Sequence, residues 1–300
     1  MNKIIQIILL STIIIYLFYG FNISKIDFSV FSYLGIIITL FTILIGQIVL
    51  TLRWMKISTM SFRISLETII VSSALNMILP AKLGEFSKAI YLKKFYNCNY
   101  HKTLSILFIE KFYDIIMLFL LTCYLAYSYF SNDIVKDSIL ILALFIVLII
   151  LFFNSKIVLK IFKKVPIQLI RVYGQKIYKN INKLLKTPSD AFLYTGLLWI
   201  MYFLGTLFFF IYAVDFGLNF KDVLELFIFS TIGLSVPLAP AGLGTYEGIV
   251  VLFLSHHGVG KESALISASI YHALLFIVDF VLLYIFLFIK DLKLKDLTKK

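Results

Sequence analysis

Glu110, Lys111 and Asp114 lie inside an apolar run, 103–130, that is otherwise long enough to cross a bilayer. An ionisable group at membrane depth costs on the order of several kcal/mol, so each needs a partner or a task. At a rise of about 1.5 Å per residue from Lys102, Glu110 lies about 12 Å deep and Asp114 about 18 Å. The i, i+4 spacing puts both acids on one helix face, with Lys111 in reach of Asp114 at i+3. A self-neutralised structural cluster and a polar path through the membrane both fit this spacing. A second apolar run, 262–289, carries His272 and Asp279 seven residues apart, again on one face, with Asp279 about 16 Å from Lys290.

Two more apolar stretches, 64–95 and 223–257, are interrupted by Pro80 and by Pro237 and Pro240. They carry Asn76, Lys82, Glu85 and Lys88 on one side, and Ser235 and Glu247 on the other. A proline break frees helix N-terminal N–H groups, which bind anions. Lys82 and Lys88 beside the first break therefore point to a phosphate site, with Glu85 holding the lysines or titrating. The competing reading is that both lysines only follow the bias of positive charge toward cytoplasmic loops.

Other chemistry finds no support. His256 and His257 are adjacent, so they point apart in regular structure, and no further metal-ligand set lies near. Segment 258–263 lacks the first glycine of a phosphate loop and has Glu262 where a magnesium-binding Ser or Thr belongs. No nucleophile elbow or HExxH occurs, and Cys98 and Cys123 are isolated. Neither a cofactor, a metal nor an enzymatic activity is expected.

The elements that must position these residues are membrane helices. The chain is 61% hydrophobic with a mean hydropathy of +0.99, well above a soluble domain. Helices are expected over 4–23, 31–52, 103–130, 138–154, 191–214 and 262–289. The first has only Lys3 before it and no small-x-small cleavage site after it, so it reads as a retained helix rather than a signal peptide. The net charge of +12 does not point to nucleic acid, because of where it sits. Segments 53–63, 82–102, 155–189 and the tail from Lys290, with Lys3, hold 23 of the 28 Lys and Arg. Positive-inside counting makes these segments and both termini cytoplasmic in a multi-pass protein of the cell membrane. Within 155–189, basic and apolar residues alternate, as in a segment lying on an anionic leaflet or simply a large cytoplasmic loop.

Sliding the sequence by 160 residues lays Pro80-Ala81-Lys82-Leu83-Gly84 on Pro240-Ala241-Gly242-Leu243-Gly244, and Phe86 and Ile90 on Tyr246 and Val250. The flanking spans superpose as well. The expectation is an all-α membrane domain over 1–300 with about six spans and two opposed, broken or re-entrant hairpins. Repeat 1, about 31–130, and repeat 2, about 191–290, are joined by 131–190 and inverted relative to each other, the recurrent plan of secondary transporters.

Three ordered stretches carry a family resemblance. Asn76-x-x-x-Pro80-x-Lys82-x-Gly84-Glu85-x-x-Lys88, Glu110-Lys111-x-x-Asp114, and Pro240-x-Gly242-x-Gly244-x-x-Glu247 resemble the motifs of the flippase-like domain family. That family comprises the membrane region of lysylphosphatidylglycerol synthase (the multiple peptide resistance factor) and its stand-alone relatives. The resemblance covers roughly 5–290. It implies translocation of a phospholipid or a polyprenyl-linked glycolipid. In the full synthase this region flips the aminoacylated lipid made by a soluble domain, which is not expected after the last span here. Relatives often have Arg where this chain has Lys82, Lys88 and Lys111; lysine keeps the charge but loses the bidentate fork.

The expectation is thus a lipid translocase, with Lys82, Lys88 and Asn76 at the head group. Pro80, Gly84, Glu85, Glu110, Lys111, Asp114, Pro240, Gly244, Glu247, His272 and Asp279 would line or gate the path. Expected partners are anionic or polyprenyl-phosphate lipids and a separate synthase or glycosyltransferase, not nucleic acid. Two alternatives stand beside it: an accessory subunit tethering such an enzyme through 155–189, and a lipid-modifying enzyme with Glu85 or Glu247 as base.

Overall fold

The computed structural model describes residues 31–129, 166, 168–186, 190–235, 239–293 and 296. Among these, the backbone is helical with no strand; one isolated antiparallel bridge joins Phe31 to Val214. The helices expected over 4–23 and 138–154, and the first part of the basic loop, lie outside the described residues.

Helix α1 (Tyr33–Ser58) starts under the Ser32 side chain, which accepts from the Gly35 N–H, and ends at Thr59 in a left-handed conformation. Next come α2 (Phe62–Ile78), a 3-10 segment (Pro80–Phe86), α3 (Ser87–Tyr96) and the long α4 (Tyr100–Tyr129). After α5 (Gln168–Lys186), the same order returns: α6 (Ala191–Phe208) with a terminal π turn (Phe209–Ala213), α7 (Phe220–Ser235), a 3-10 turn (Pro240–Gly242), α8 (Thr245–His256) and α9 (Lys261–Lys290). Reciprocal Asn219 and Asp222 side-chain bonds to each other's backbone N–H start α7.

The two proline breaks fold their halves into hairpins. In the first, Gly84 lies so close to α2 that a Cβ there would sit 2.2 Å from the Asn76 nitrogen; no other residue fits. In the second, Gly242 and Gly244 have φ of +79° and +82°, the left-handed region that glycine enters freely. The two turns pack against each other, while α1 packs along α6. Gly35 allows that approach, since a Cβ there would meet the Tyr212 carbonyl at 2.2 Å. Small residues at such crossings are how helices associate in lipid.

The outward faces are apolar, and part of the interior is polar. On α1, Leu34, Ile37, Phe41, Ile45 and Ile48 face outward, while Thr39, Thr42, Thr51 and Arg53 are buried. On α9, Ile277, Val281, Tyr284, Ile285 and Phe288 face outward, while Ser267, His272 and Asp279 are buried. Each large apolar side chain left in water forgoes about 1.5–3 kcal/mol, so these faces belong in lipid. Among the described residues, Tyr33–Ser58, Ala191–Ala213 and Lys261–Lys290 are long and apolar enough to cross a membrane.

A polar clasp ties the first hairpin to the end of α9. The buried Glu67 carboxylate on α2 accepts from Tyr91 (2.9 Å) and Tyr96 on α3 and pairs with Lys290 at 2.6 Å. Phe286 packs its ring edge-on to Tyr91 nearby.

The basic loop departs from expectation where it is described. Helix α5 does not keep its apolar side free for a leaflet. Ile177, Ile181 and Leu184 pack with Ile106, Leu107 and Ile109 of α4, and Ser105 Oγ donates to the Ile177 carbonyl at 3.3 Å. The apolar stripe is better satisfied by a neighbouring helix, and its charged side remains outward.

Candidate functional site

Between the hairpins and helices α1, α4, α6 and α9 lies a cavity of about 650 Å³. One wall is built from charges of alternating sign. Arg53, 2% exposed on α1, reaches across to α4 with both arms of its guanidinium: Nη2 to Glu110 and Nη1 to Asp114, each at 2.5 Å. The other Glu110 oxygen takes Lys88 Nζ at 2.7 Å, and that ammonium lies 4.4 Å over the Trp54 ring. On the far side, Asp114 meets Lys111 at 3.3 Å, and Lys111 reaches Glu85 in the first turn at 2.6 Å. The order is Lys88, Glu110, Arg53, Asp114, Lys111, Glu85, so each ion sits between opposite charges or ends the chain. Removing ions from water costs several kcal/mol each, and only such mutual pairing offsets it.

Lys82 stands apart from this chain. It lines the cavity in a left-handed backbone conformation (φ 55°) and has no ion-pair partner among the described residues. Asn76 lines the cavity beside it, and its side-chain oxygen has no hydrogen-bond partner among them.

The acids of α8 and α9 near the cavity have no Lys or Arg partner among the described residues. Glu247 accepts the Gly244 N–H at 2.7 Å, capping α8, and its second oxygen lies 2.6 Å from His272 Nδ1. Asp279 accepts from Gln47 Nε2 at 2.7 Å. The rest of the lining mixes apolar and aromatic side chains, including Ile43, Leu50, Met77, Leu118 and Phe227, with the small hydroxyls of Ser72, Ser73, Thr231 and Ser235.

The structure thus gathers Asn76, Lys82, Glu85, Lys88, Glu110, Lys111, Asp114, His272 and Asp279 around one cavity. Pro80 and Pro240 open the two 3-10 segments, Gly84 and Gly244 shape the turns, and Glu247 stands behind His272. Two expectations need correction. Lys88 is 3% exposed and spent on Glu110, so it is an internal counter-ion and not a free phosphate ligand. Glu85 holds Lys111, not Lys82 or Lys88. At the second break the Gly244 N–H that an anion would use is already taken by Glu247.

Arg53 is the residue that sequence reasoning missed, because α1 was expected to end at 52 and Arg53 was counted with a loop; the helix runs on to Ser58. A signal existed. Helix α4 carries two acids and only one base at depth, and the unmatched acid demands a cation from another helix. Gln47, Trp199 and Tyr202, also lining residues, carried no such signal.

The family described as lysylphosphatidylglycerol synthase TM region matches residues 3–282. The chain belongs to this family. A UPF0104 membrane protein of Methanocaldococcus jannaschii is 30% identical over 202 residues, 63% of this chain and 82% of that protein. No solved structure matches. As a member of the lysylphosphatidylglycerol synthase transmembrane family, the chain is an integral membrane protein, which accords with its outward apolar faces and buried charges.

Proposed function

We propose that this protein is a lipid translocase that carries a phosphate-bearing head group through the cavity while the tails stay in the bilayer. The observation that carries the reading is Lys82, a cation with no ion-pair partner among the described residues, on the wall of a cavity whose Arg53, Lys88 and Lys111 are neutralised by neighbouring acids. A volume of about 650 Å³ falls within the roughly 300–1,000 Å³ of small-molecule sites. The mix of polar and apolar lining suits a molecule that is charged at one end and greasy at the other. The helix, broken hairpin, helix order occurs twice, and positive-inside counting orients the two copies oppositely, with both termini cytoplasmic. About six spans and two opposed hairpins would then enclose a site between inverted repeats. Candidate cargo is an anionic phospholipid or a polyprenyl-phosphate glycolipid, supplied by a separate synthase or glycosyltransferase. An enzymatic role is less well supported, because the two candidate bases, Glu85 and Glu247, are engaged by Lys111 and by His272 with the Gly244 N–H.

The test is leaflet exchange of fluorescent phosphatidylglycerol and phosphatidylcholine in proteoliposomes. Lys82→Ala removes one charge-assisted contact of about 1.5–3 kcal/mol, lowering apparent affinity for the anionic lipid on the order of ten- to a hundredfold. Lys82→Arg retains function, since its guanidinium adds a fork for phosphate. Equal anionic-lipid exchange by wild type and Lys82→Ala defeats the assignment.

A further inference from the structure

Among the described residues, every other acid lining the cavity is held by a cation: Glu110 by Arg53 and Lys88, Asp114 by Arg53 and Lys111, Glu85 by Lys111. Asp279 is the exception. It is 5% exposed, about 16 Å along α9 from Lys290 at about 1.5 Å per residue, and its hydrogen-bond partner is the neutral amide of Gln47. The charged and titratable groups on the elements packed around it are committed elsewhere. From α1, Arg53 serves Glu110 and Asp114; from α2, Glu67 holds Lys290, the last residue of α9. From α8, Glu247 is bound to His272 of α9 itself; Tyr246 of α8 and Tyr271 of α9 are buried phenols. A buried carboxylate with no cation in contact depends on the net charge of its surroundings to stay ionised, and it takes up a proton when that positive charge is cancelled.

Gln47 suits both states of such a group. An ionised Asp279 accepts from the amide N–H, the arrangement seen at 2.7 Å. A protonated Asp279 donates to the amide oxygen once Gln47 turns its terminal amide over. Neither state leaves the pair without a hydrogen bond.

Charge balance links this site to Lys82. Setting aside the Glu247–His272 pair, Arg53, Lys82, Lys88 and Lys111 around the cavity face the three paired acids Glu85, Glu110 and Asp114, which leaves one positive charge over. With the cavity empty, an ionised Asp279 cancels it. With a monoanionic head group on Lys82, the cavity carries one negative charge too many until Asp279 is protonated. We propose that an anionic head group and one proton enter this cavity together, the proton resting on the Asp279 carboxylate, so that lipid movement is coupled to proton movement. This rests on the translocase reading above. The proton comes from bulk water and returns to it when the head group leaves. By linkage, head-group binding favours protonation and protonation favours head-group binding by the same factor.

The experiment adds short-chain phosphatidylglycerol to the purified protein in weakly buffered detergent, with phosphatidylcholine as control. Wild type takes up close to one proton per bound phosphatidylglycerol and none with phosphatidylcholine. Above the Asp279 midpoint its phosphatidylglycerol affinity falls up to about tenfold per pH unit, the limit for one coupled proton. Asp279→Asn binds phosphatidylglycerol without proton uptake, and its affinity no longer follows pH. A wild-type measurement guards against a variant that does not fold: phosphatidylglycerol raises the carboxylic-acid C=O band in infrared difference spectra. Binding without proton uptake, no such band, or the same uptake in Asp279→Asn overturns the coupling while leaving the translocase reading intact. Absence of both phosphatidylglycerol binding and leaflet exchange removes the translocase reading, and the coupling falls with it.

Discussion

Replacing Arg53 by methionine tests whether the alternating charges on the cavity wall act as one unit. The guanidinium makes two contacts of 2.5 Å, to Glu110 and to Asp114, and both Arg53 and Glu110 are almost wholly buried. Breaking a buried ion pair by removing one partner costs about 3–5 kcal/mol. Glu110 keeps Lys88, and Asp114 keeps the partly exposed Lys111, so Arg53→Met belongs at the lower end, about 3 kcal/mol. That is a large share of a typical total of about 5–15 kcal/mol. The double variant Arg53→Met with Asp114→Asn removes one charge of each sign. It leaves two intact pairs, Lys88 with Glu110 and Lys111 with Glu85. It should therefore recover about half the Arg53→Met loss, a coupling of at least about 1.5 kcal/mol once the loss in Asp114→Asn alone is counted. The assay is a double-mutant cycle on unfolding in mixed detergent micelles. A single-variant loss within about 0.5 kcal/mol of wild type, or strictly additive losses, refutes the cooperative charge chain.

Gly84→Ala places a methyl 2.2 Å from the Asn76 nitrogen and 2.5 Å from the Leu75 carbonyl carbon, both backbone. The turn must open, so the loss of stability exceeds the roughly 1–3 kcal/mol of ordinary overpacking, and lipid exchange falls with it; an unaltered unfolding curve speaks against the close approach. Topology is read by an impermeant thiol reagent on intact cells, in a background lacking Cys98 and Cys123. Cysteines replacing His257 and Lys136 react and one replacing Lys176 does not; labelling at 176 reverses the orientation and removes the inverted repeat.

How far the sequence reaches depends on the range of the interaction concerned. Breaks at Pro80 and Pro240 were legible because proline and glycine act on their own backbone, and the structure places 3-10 segments at both. The helix over 103–130 was legible from hydropathy, and its charges were visible as an anomaly. What was not legible is partnership across helices. Lys88 reads as a surface cation until Glu110 and the Trp54 ring are brought to it, 22 and 34 residues away in the chain. Arg53 sits at the point where α1 leaves its apolar run, so hydropathy ends the helix just before the residue that organises the site. The apolar stripe of α5 is equally ambiguous in sequence, since lipid and a neighbouring helix impose the same pattern.

The Glu67 clasp has a mechanical consequence. With Lys290, Tyr91 and Tyr96 gripping one carboxylate, the far end of the last helix and the whole first hairpin form a single lever. A tilt of α9 at that end would pull on the hairpin whose tip is the 3-10 segment bearing Lys82 and Glu85, where the two turns rest on each other. The clasp holds the base of the hairpin and Lys82 stands at its tip, so a displacement of the tail end of α9 reaches that cation through the length of the hairpin.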